Sequence, residues 1–197
     1  MNSDHYRKFN TIAPLYGMAF KSQVKYYTRI ITAASEVINL TQYRSIVDVG
    51  CGTGALCQVL SKQGLNVTGV DAAEKMIQIA SRNLRGQGVT LHRADALKGL
   101  PSADKSFDLA ISSYVVHGLP EADRHIFYKE LSRVVRHKVI FHDYNASRSW
   151  LTDAVEWLEG ANYFNFIKRV PQEMQETFSQ VHIIPLAKRA VWYVCSP

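Results

Sequence analysis

The feature that most constrains the fold of this 197-residue chain is a glycine-rich loop between a short apolar run and a helical pattern. Residues 45–49 read Ser-Ile-Val-Asp-Val, which is typical of a buried strand, and Gly50, Gly52 and Gly54 follow at alternate positions. Glycines let a backbone turn sharply and approach a ligand closely, and a helix N-terminus offers unpaired N–H groups. A tight turn explains one glycine, so three at this spacing favour a ligand-binding loop.

Strand and helix patterns alternate along most of the chain. This alternation predicts an α/β fold, a Rossmann-like three-layer sandwich with a mainly parallel seven-stranded sheet. The gap between the last two predicted strands is too short for a parallel crossover, so we expect them to form an antiparallel C-terminal hairpin. We expect one or two helices after Arg148. The predicted strands are 45–49, 65–70, 89–92, 107–112, 138–141, 181–186 and 190–194, and the predicted helices are 20–38, 53–62, 72–85 and one from about 120.

An acidic residue ends the strand that is predicted after the glycine loop. Asp71 ends the second predicted strand, 21 residues after Gly50, where a carboxylate can accept both hydroxyls of a ribose or cap the next helix. A G-x-G-x-x-A match that ends at Ala55 keeps a dinucleotide site open. However, Asp48 lies two residues before the first glycine, and a carboxylate there would oppose a pyrophosphate. A cationic ligand suits Asp48 better.

These residues resemble the class I S-adenosylmethionine-dependent methyltransferases. The resemblance rests on DVGCGTG at 48–54, VTGVD at 67–71 and the Ala-Asp-Ala step at 94–96. It extends to the small-molecule branch of that family, which includes enzymes of ubiquinone and menaquinone biosynthesis, through FNTIAPLY at 9–16 and SFDL at 106–109. The cofactor that it implies is S-adenosyl-L-methionine.

The resemblance also implies a role for individual residues. Asp48 would receive the methionine ammonium, Asp71 the ribose hydroxyls and Asp95 the adenine amino group, while Met76 would lie against the adenine and Ser112 beside the sulfonium. Other origins remain open, such as a turn for Asp95, a core position for Met76 and a backbone hydrogen bond for Ser112. The predicted cofactor-binding residues are Tyr16, Asp48, Gly50, Cys51, Gly52, Gly54, Asp71, Ala72, Met76, Asp95, Ala96 and Ser112. Ala73 departs from the Ser or Thr that the family often has, which we expect to weaken the following helix start slightly.

Candidates for acceptor chemistry follow the fourth and fifth predicted strands, because ligands bind at the carboxyl ends of strands in open α/β sheets. His117, Tyr114 and His142 are the predicted catalytic residues, with His117 ranked first as a base or as an orienter of the acceptor. Asp143 could orient His142, but adjacent side chains on an extended chain point in opposite directions.

Missing motifs restrict the acceptor. No Asn-Pro-Pro-Tyr-like tetrapeptide follows the fourth strand and no Pro-Cys pair occurs, which disfavours methylation of nucleobases. The seven histidines show neither HxxxH nor HExxH spacing, so we expect no catalytic metal.

The net charge of +6 is concentrated near the start of the chain. The first 44 residues carry six Lys and Arg against two Asp and Glu, together with five of the ten tyrosines. The resemblance implies that residues 1–44 form an N-terminal helical lid over the methyltransferase domain of residues 45–197, which suits an acidic or aromatic acceptor.

The sequence therefore predicts a methyltransferase that acts on a small organic molecule, without nucleic acid as partner and without a transmembrane segment. Two other functions remain open: a non-catalytic methyltransferase-like module that binds a ligand or partner, and a tRNA-directed methyltransferase. The three cysteines form no CxxC motif and the first residues lack an apolar signal run, so we expect a cytoplasmic protein. The oligomeric state is left open.

Overall fold

A computed structural model describes residues 3–145, 163–187 and 190–197. Within these ranges the strands form one sheet. In chain order they are β1 (Ser45–Val49), β2 (Asn66–Asp71), β3 (Thr90–Arg93), β4 (Phe107–Ser113), β5 (Val135–Tyr144), β6 (Gln180–Ala187) and β7 (Ala190–Ser196). The order across the sheet is β3-β2-β1-β4-β5-β7-β6, with parallel pairing from β3 to β5. Strand β7 runs antiparallel to both β5 and β6.

Helices cover both faces of the sheet. They are α1 (Ser3–Met18), α2 (Phe20–Ala34), α3 (Ala55–Lys62), α4 (Glu74–Asn83), α5 (Glu121–Val134) and α6 (Tyr163–Gln175). Successive side chains of a strand point to opposite faces, so β5 sends Phe141 to one core cluster and Ile140 to the other. Helices α5 and α6 pack in the first cluster, whereas α2, α3 and α4 pack in the second. None of the described helices is long and apolar enough to span a membrane.

The predicted fold is confirmed, including the antiparallel hairpin of β6 and β7. One strand is longer than the sequence indicated. Strand β5 begins at Val135, directly after α5, and continues to Tyr144, so His142 and Asp143 are strand residues rather than loop residues. The helices predicted after Arg148 fall partly on residues 146–162, which lie outside the described residues.

The strand order places the candidate site. Strands β2 and β3 lie to one side of β1, and β4 and β5 lie to the other. The connections diverge at this point, which leaves a crevice at the carboxyl ends of β1 and β4. The glycine loop follows β1, Asp71 ends β2, and Tyr114 follows β4, so the sheet brings these segments to one edge.

Candidate active site

A cavity of about 450 Å³ opens at the carboxyl edge of the sheet. One part, which we call the glycine-loop half, is lined by residues 48–53, 70–73 and 94–97 together with Met76. The other part, the tyrosine half, is lined by α1 and α2 and by the segments after β4. Its lining side chains include Tyr16, Gln23, Tyr26, Tyr27, Ser113, Tyr114, His117, Leu119 and Phe127. The volume is in the range of small-molecule sites, which run from about 300 to 1,000 Å³.

The three glycines of the loop differ in the space that a side chain would find at each position. Gly50 and Gly54 have φ angles of +80° and +84°, and a Cβ at either position would collide with a neighbour, Val115 or Leu84 respectively. Gly52 has a φ of +54°, but a Cβ there would meet nothing within 4 Å. Packing therefore dictates two glycines, while the third faces open space. Of the three, Gly54 is not on the cavity wall.

Asp71 holds the glycine loop. Its Oδ2 accepts the N–H of Gly52 at 2.9 Å and its Oδ1 accepts the N–H of Ala73 at 2.8 Å. Burial raises the pKa of Asp71, and the two backbone N–H groups oppose that rise. Each carboxylate oxygen keeps a further lone pair, so Asp71 can still accept hydrogen bonds from a ligand in the cavity.

The start of α4 is capped from α1 instead of by its own residue. Ala73 occupies the N-cap position without a side-chain bond, but Asn10 Oδ1 accepts the N–H of Lys75 at 3.0 Å. Beside this contact, Ala13 of α1 is buried in a cluster with Ala73 and Met76. The weak helix start expected from Ala73 is therefore offset by a helix distant in sequence.

Asp48 is the most unusual acid of the site. It lines the cavity, is 1% exposed, and its Oδ2 accepts a hydrogen bond from Cys57 Sγ at 3.1 Å. Its Oδ1 is buried without a hydrogen-bond partner among the described residues. Burial raises the pKa of Asp48 to about 7, against the milder opposing effect of the Cys57 thiol. A cationic ligand group would supply the missing partner and favour the ionised form.

The remaining predicted cofactor residues divide between wall and interior. Tyr16, Cys51, Ala72, Met76, Asp95 and Ala96 all line the cavity. Asp95 Oδ1 accepts the N–H of Leu97 at 3.0 Å, which is the turn that the sequence allowed. Ser112 is not on the wall, because its hydroxyl donates to the carbonyl of Val49 at 2.8 Å. Ser113 lines the cavity instead, 2.9 Å from the hydroxyl of Tyr27.

His117 pairs with Asp143 in the tyrosine half. His117 Nδ1 lies 2.9 Å from Asp143 Oδ1, and the N–H of His117 donates to Asp143 Oδ2 at 3.2 Å. Asp143 is 1% exposed, and its Oδ1 also accepts the N–H of Tyr144. A carboxylate beside Nδ1 holds the proton there, so Nε2 is the basic nitrogen of the neutral ring.

His142 points the other way and makes a separate contact. Its Nε2 lies 2.9 Å from Tyr26 Oη, which in turn lies 2.5 Å from Tyr114 Oη. Burial lowers the pKa of His142 to about 4, so the ring is neutral near pH 7. His142 is not on the cavity wall, whereas Tyr26 and Tyr114 are. The alternation of β5 therefore separates His142 from Asp143, as the sequence indicated.

Comparison with known proteins decides the family. Residues 47–142, from β1 almost to the end of β5, match the family described as methyltransferase domain. Residues 47–142 form a class I S-adenosylmethionine-dependent methyltransferase domain. The predicted family, and with it the cofactor, are confirmed.

Two curated relatives match part of this domain. The ubiquinone biosynthesis O-methyltransferase of Sinorhizobium medicae is 38% identical over 79 residues, which are 40% of this chain and 32% of that protein. The demethylmenaquinone methyltransferase of Lactobacillus johnsonii is 36% identical over 97 residues, 46% of this chain and 38% of that protein. The match thus spans about a third of the length of these two relatives.

A solved structure supports the fold over nearly the whole chain. A putative S-adenosyl-L-methionine-dependent methyltransferase from Methanococcus maripaludis superimposes with a TM-score of 0.71 at 21% identity. The match covers 95% of this chain and 92% of the other. At this identity the likeness concerns the fold.

The residues of the glycine-loop half fit S-adenosylmethionine. The unpartnered Oδ1 of Asp48 suits the ammonium of its methionine part, and the lone pairs of Asp71 suit its ribose hydroxyls. Gly52 leaves open space beside the loop. Met76 lines the cavity together with Asp71 and Asp95.

Sequence reasoning missed much of the tyrosine half of the cavity. Tyr26, Tyr27, Ser113 and Phe127 line the cavity and were not expected there, and Asp143 serves His117 instead of His142. The one available signal was the density of tyrosines in the first 44 residues. That signal marked the segment but could not select the side chains that face the cavity.

Proposed function

We propose that this methyltransferase moves the methyl group of S-adenosylmethionine to a small organic acceptor that binds in the tyrosine half. The carrying observation is that one cavity connects the acids and the glycine loop with the imidazole of His117. A single open cavity of about 450 Å³ lies within the size range of small-molecule sites. Proximity supplies much of the rate in such a reaction.

The chain's own residues then have distinct tasks. When bound, S-adenosylmethionine supplies a methyl group that its positively charged sulfur has already activated. Asp48 and Asp71 hold and orient the donor in the glycine-loop half. His117 Nε2 accepts the proton of an acceptor hydroxyl, and Asp143 stabilises the imidazolium that forms.

The walls of the tyrosine half favour an aromatic acceptor. Tyr26, Tyr27, Tyr114 and Phe127 present flat apolar surfaces, while their neighbour His117 supplies a polar group. Aromatic side chains prefer offset or edge-on contact with another ring. The exposed Lys21, Lys25 and Arg29 of α2 lie outside the cavity and would favour the approach of an acidic acceptor.

We limit the proposed lid, which the sequence predicted over residues 1–44, to helix α1. Helix α2 buries Ile30, Ile31 and Ala34 in the core, so its removal would damage the fold. Helix α1 contributes Tyr16 to the cavity wall, and its residues Asn10 and Ala13 contact the start of α4. We expect deletion of residues 1–19 to spare folding, measured by circular dichroism, and to cripple turnover. Full activity of the truncated chain would refute a lid.

Two measurements in sequence test the proposal. Isothermal titration with S-adenosylmethionine and with its demethylated product should show binding at micromolar concentrations. A panel of phenols, amines, thiols and carboxylic acids is then incubated with donor carrying a labelled methyl group. The proposal fails if no heat of binding appears at high micromolar ligand. Binding without transfer to any panel member would favour a non-catalytic module, and transfer to tRNA that falls steeply with salt would favour a polyanionic acceptor.

A further inference from the structure

A chain of hydrogen bonds joins α2 to the end of β5 behind the tyrosine half. It runs from Tyr114 Oη to Tyr26 Oη over 2.5 Å and from there to His142 Nε2 over 2.9 Å. Its three members come from α2, from the segment after β4, and from β5. Tyr26 is the middle member, and only Tyr26 and Tyr114 also line the cavity.

Tyr114 is held in a costly backbone conformation. Its φ is +54°, which is a genuine outlier for a bulky residue. The N–H of Tyr114 donates to the carbonyl of His142 at 2.8 Å, which fixes this geometry beside β5. Its ring lies edge-on to His142, with 4.9 Å between the ring centroids. The structure therefore maintains Tyr114 in this position against the backbone preference of its residue type.

His142 sets the direction of the chain. The ring is neutral near pH 7 and carries one proton, and its Nδ1 is buried without a partner among the described residues. A buried N–H without an acceptor is rarer than a lone pair without a donor. The proton therefore belongs on Nε2, which donates to Tyr26 Oη. With this bond accepted, Tyr26 keeps its own hydroxyl proton, and donation of that proton to Tyr114 Oη leaves the hydroxyl proton of Tyr114 for the cavity.

We propose that Tyr114 donates a hydrogen bond to an oxygen of the methyl acceptor, and that Tyr26 and His142 are positioning residues that fix Tyr114 as a donor. The inference rests on the proposed function, because it assumes that the acceptor binds in the tyrosine half. It adds a specificity element to that function. The acceptor carries, besides the hydroxyl that receives the methyl group, a second oxygen that accepts a hydrogen bond.

The two polar groups of the tyrosine half are complementary in this arrangement. His117 Nε2 accepts a proton, while Tyr114 Oη offers one, and the two rings are 6.4 Å apart. A molecule with only a hydroxyl would satisfy His117 and leave the Tyr114 proton without an acceptor. Such an unpaired buried donor lowers affinity, so the pair discriminates between otherwise similar acceptors.

The direction of the chain is tested without any acceptor. Protein labelled with ¹⁵N at histidine is measured by long-range ¹H–¹⁵N correlation at pH 7, and the His142 signals are assigned from their loss in His142→Gln. We expect a protonated Nε2 and an unprotonated Nδ1. A proton on Nδ1 would reverse the chain and overturn the proposal.

The donor role is tested with matched probes. We would measure binding of 2- and 3-methoxyphenol against 2- and 3-ethylphenol, which have similar shape but lack the second oxygen, with the demethylated donor present. At one substitution position at least, the wild-type protein should favour the methoxy compound about five-fold, the value of one neutral hydrogen bond. Tyr114→Phe should abolish this preference and Tyr26→Phe should reduce it. Tyr43→Phe, which alters a tyrosine that does not line the cavity, is the matched control.

Each result separates the two proposals. Absence of a methoxy preference in the wild-type protein, failure of both methoxyphenols to bind, or an unchanged preference in Tyr114→Phe would overturn the donor role. If the preference is present and is lost in Tyr114→Phe, but no methyl group is transferred, the donor role stands and the proposed function fails.

Discussion

The two halves of the cavity are built in opposite ways. In the glycine-loop half, the acids bond to groups close in sequence: Asp71 to residues 2 and 19 positions away and Asp95 to a residue 2 positions away. In the tyrosine half, Tyr26 bonds across 88 and 116 positions, and His117 bonds to Asp143 across 26. The acids of the first half bond within the ends of neighbouring strands and the turns that follow them, whereas the bonds of Tyr26 join α2 to the segment after β4 and to β5.

Because of this difference, we expect substitutions in the two halves to affect different properties. A change in the glycine-loop half should act on donor affinity and leave the other half intact. A change in the tyrosine half should act on turnover or on acceptor choice, with donor affinity preserved. Variants that cross this division would break the comparison.

The largest effect is expected from His117→Gln. Removal of a general base lowers turnover by about 10²- to 10⁴-fold, so kcat for a hydroxyl acceptor should fall about 1,000-fold. Affinity for the demethylated donor should stay within two-fold in titration calorimetry. His125→Gln on α5, a histidine that faces Glu176 and does not line the cavity, is the control. Turnover of His117→Gln within three-fold of wild type would show that no base acts there.

Asp71→Ala should have the next largest effect. The variant removes the charged acceptor for two ligand hydroxyls and leaves the N–H groups of Gly52 and Ala73 without their partner. Hydrogen bonds to charged groups contribute about 1.5–3 kcal/mol each, so the dissociation constant of the demethylated donor should rise about 100-fold or more. The surface variant Asp104→Ala, which loses only an exposed ion pair with Arg133, serves for comparison. Unchanged donor affinity in Asp71→Ala is incompatible with the assigned role.

The ionisation of Asp48 predicts a pH dependence of donor binding. In the proposed site the ammonium of the donor binds the ionised carboxylate, and the pKa of Asp48 without ligand is about 7. Affinity should therefore be lost as pH falls, about ten-fold for each unit well below pH 7, and level off above it. Titrations from pH 5.5 to 8 check this, with Asp48→Asn expected to bind weakly and without that slope. A wild-type affinity that is constant over this range would contradict the prediction.

The same group predicts a stability effect of opposite sign. Because the pKa of Asp48 is raised in the fold, the unliganded protein favours the neutral carboxyl, and stability is lost as pH rises from about 4 to about 7. Without ligand, Asp48→Asn should thus be more stable than wild type at pH 8, and its advantage should shrink at pH 5. Thermal unfolding at both pH values measures the difference.

The smallest effect concerns Asn10→Ala. Loss of an N-cap interaction costs about 1 kcal/mol, so the free energy of unfolding in urea should fall by that amount. A second substitution, Ala73→Ser, places a capping hydroxyl on α4 itself and should restore stability. It should not restore the docking of α1, so the double variant separates helix capping from closure of the cavity. Equal stability of Asn10→Ala and wild type would contradict a stabilising capping role for Asn10.

The contrast between the halves also explains what the sequence could predict. The glycine loop, Asp48 and Asp71 follow from strand ends and residue spacing, because local backbone geometry positions them. Ser112 does not line the cavity and Ser113 does, because a shift of one residue along a strand turns a side chain to the other face. The place of Ser112 beside the sulfonium stays a prediction. The role of Tyr26 could not be predicted, because it depends on how α2 packs against the sheet.

The C-terminal end of β5 could not be predicted, because its residues are polar. His142, Asp143 and Tyr144 resemble loop residues in sequence, yet they pair with β7 in the sheet. Tyr26 contacts His142 Nε2 and His117 contacts Asp143, and both of these partners come from other elements. Tertiary contacts of this kind override local propensity.

Met76 has a further consequence for the catalytic cycle. It belongs to the cluster that holds Ala13 of α1, and it also lines the cavity. A donor that rests on Met76 and a docked α1 therefore stabilise each other, and this coupling is equal in both directions. We expect α1 to resist proteolysis more when the donor is bound. If α1 is the proposed lid, release of the spent donor and opening of α1 form one step, and the rate of that step is an upper limit on the rate of turnover.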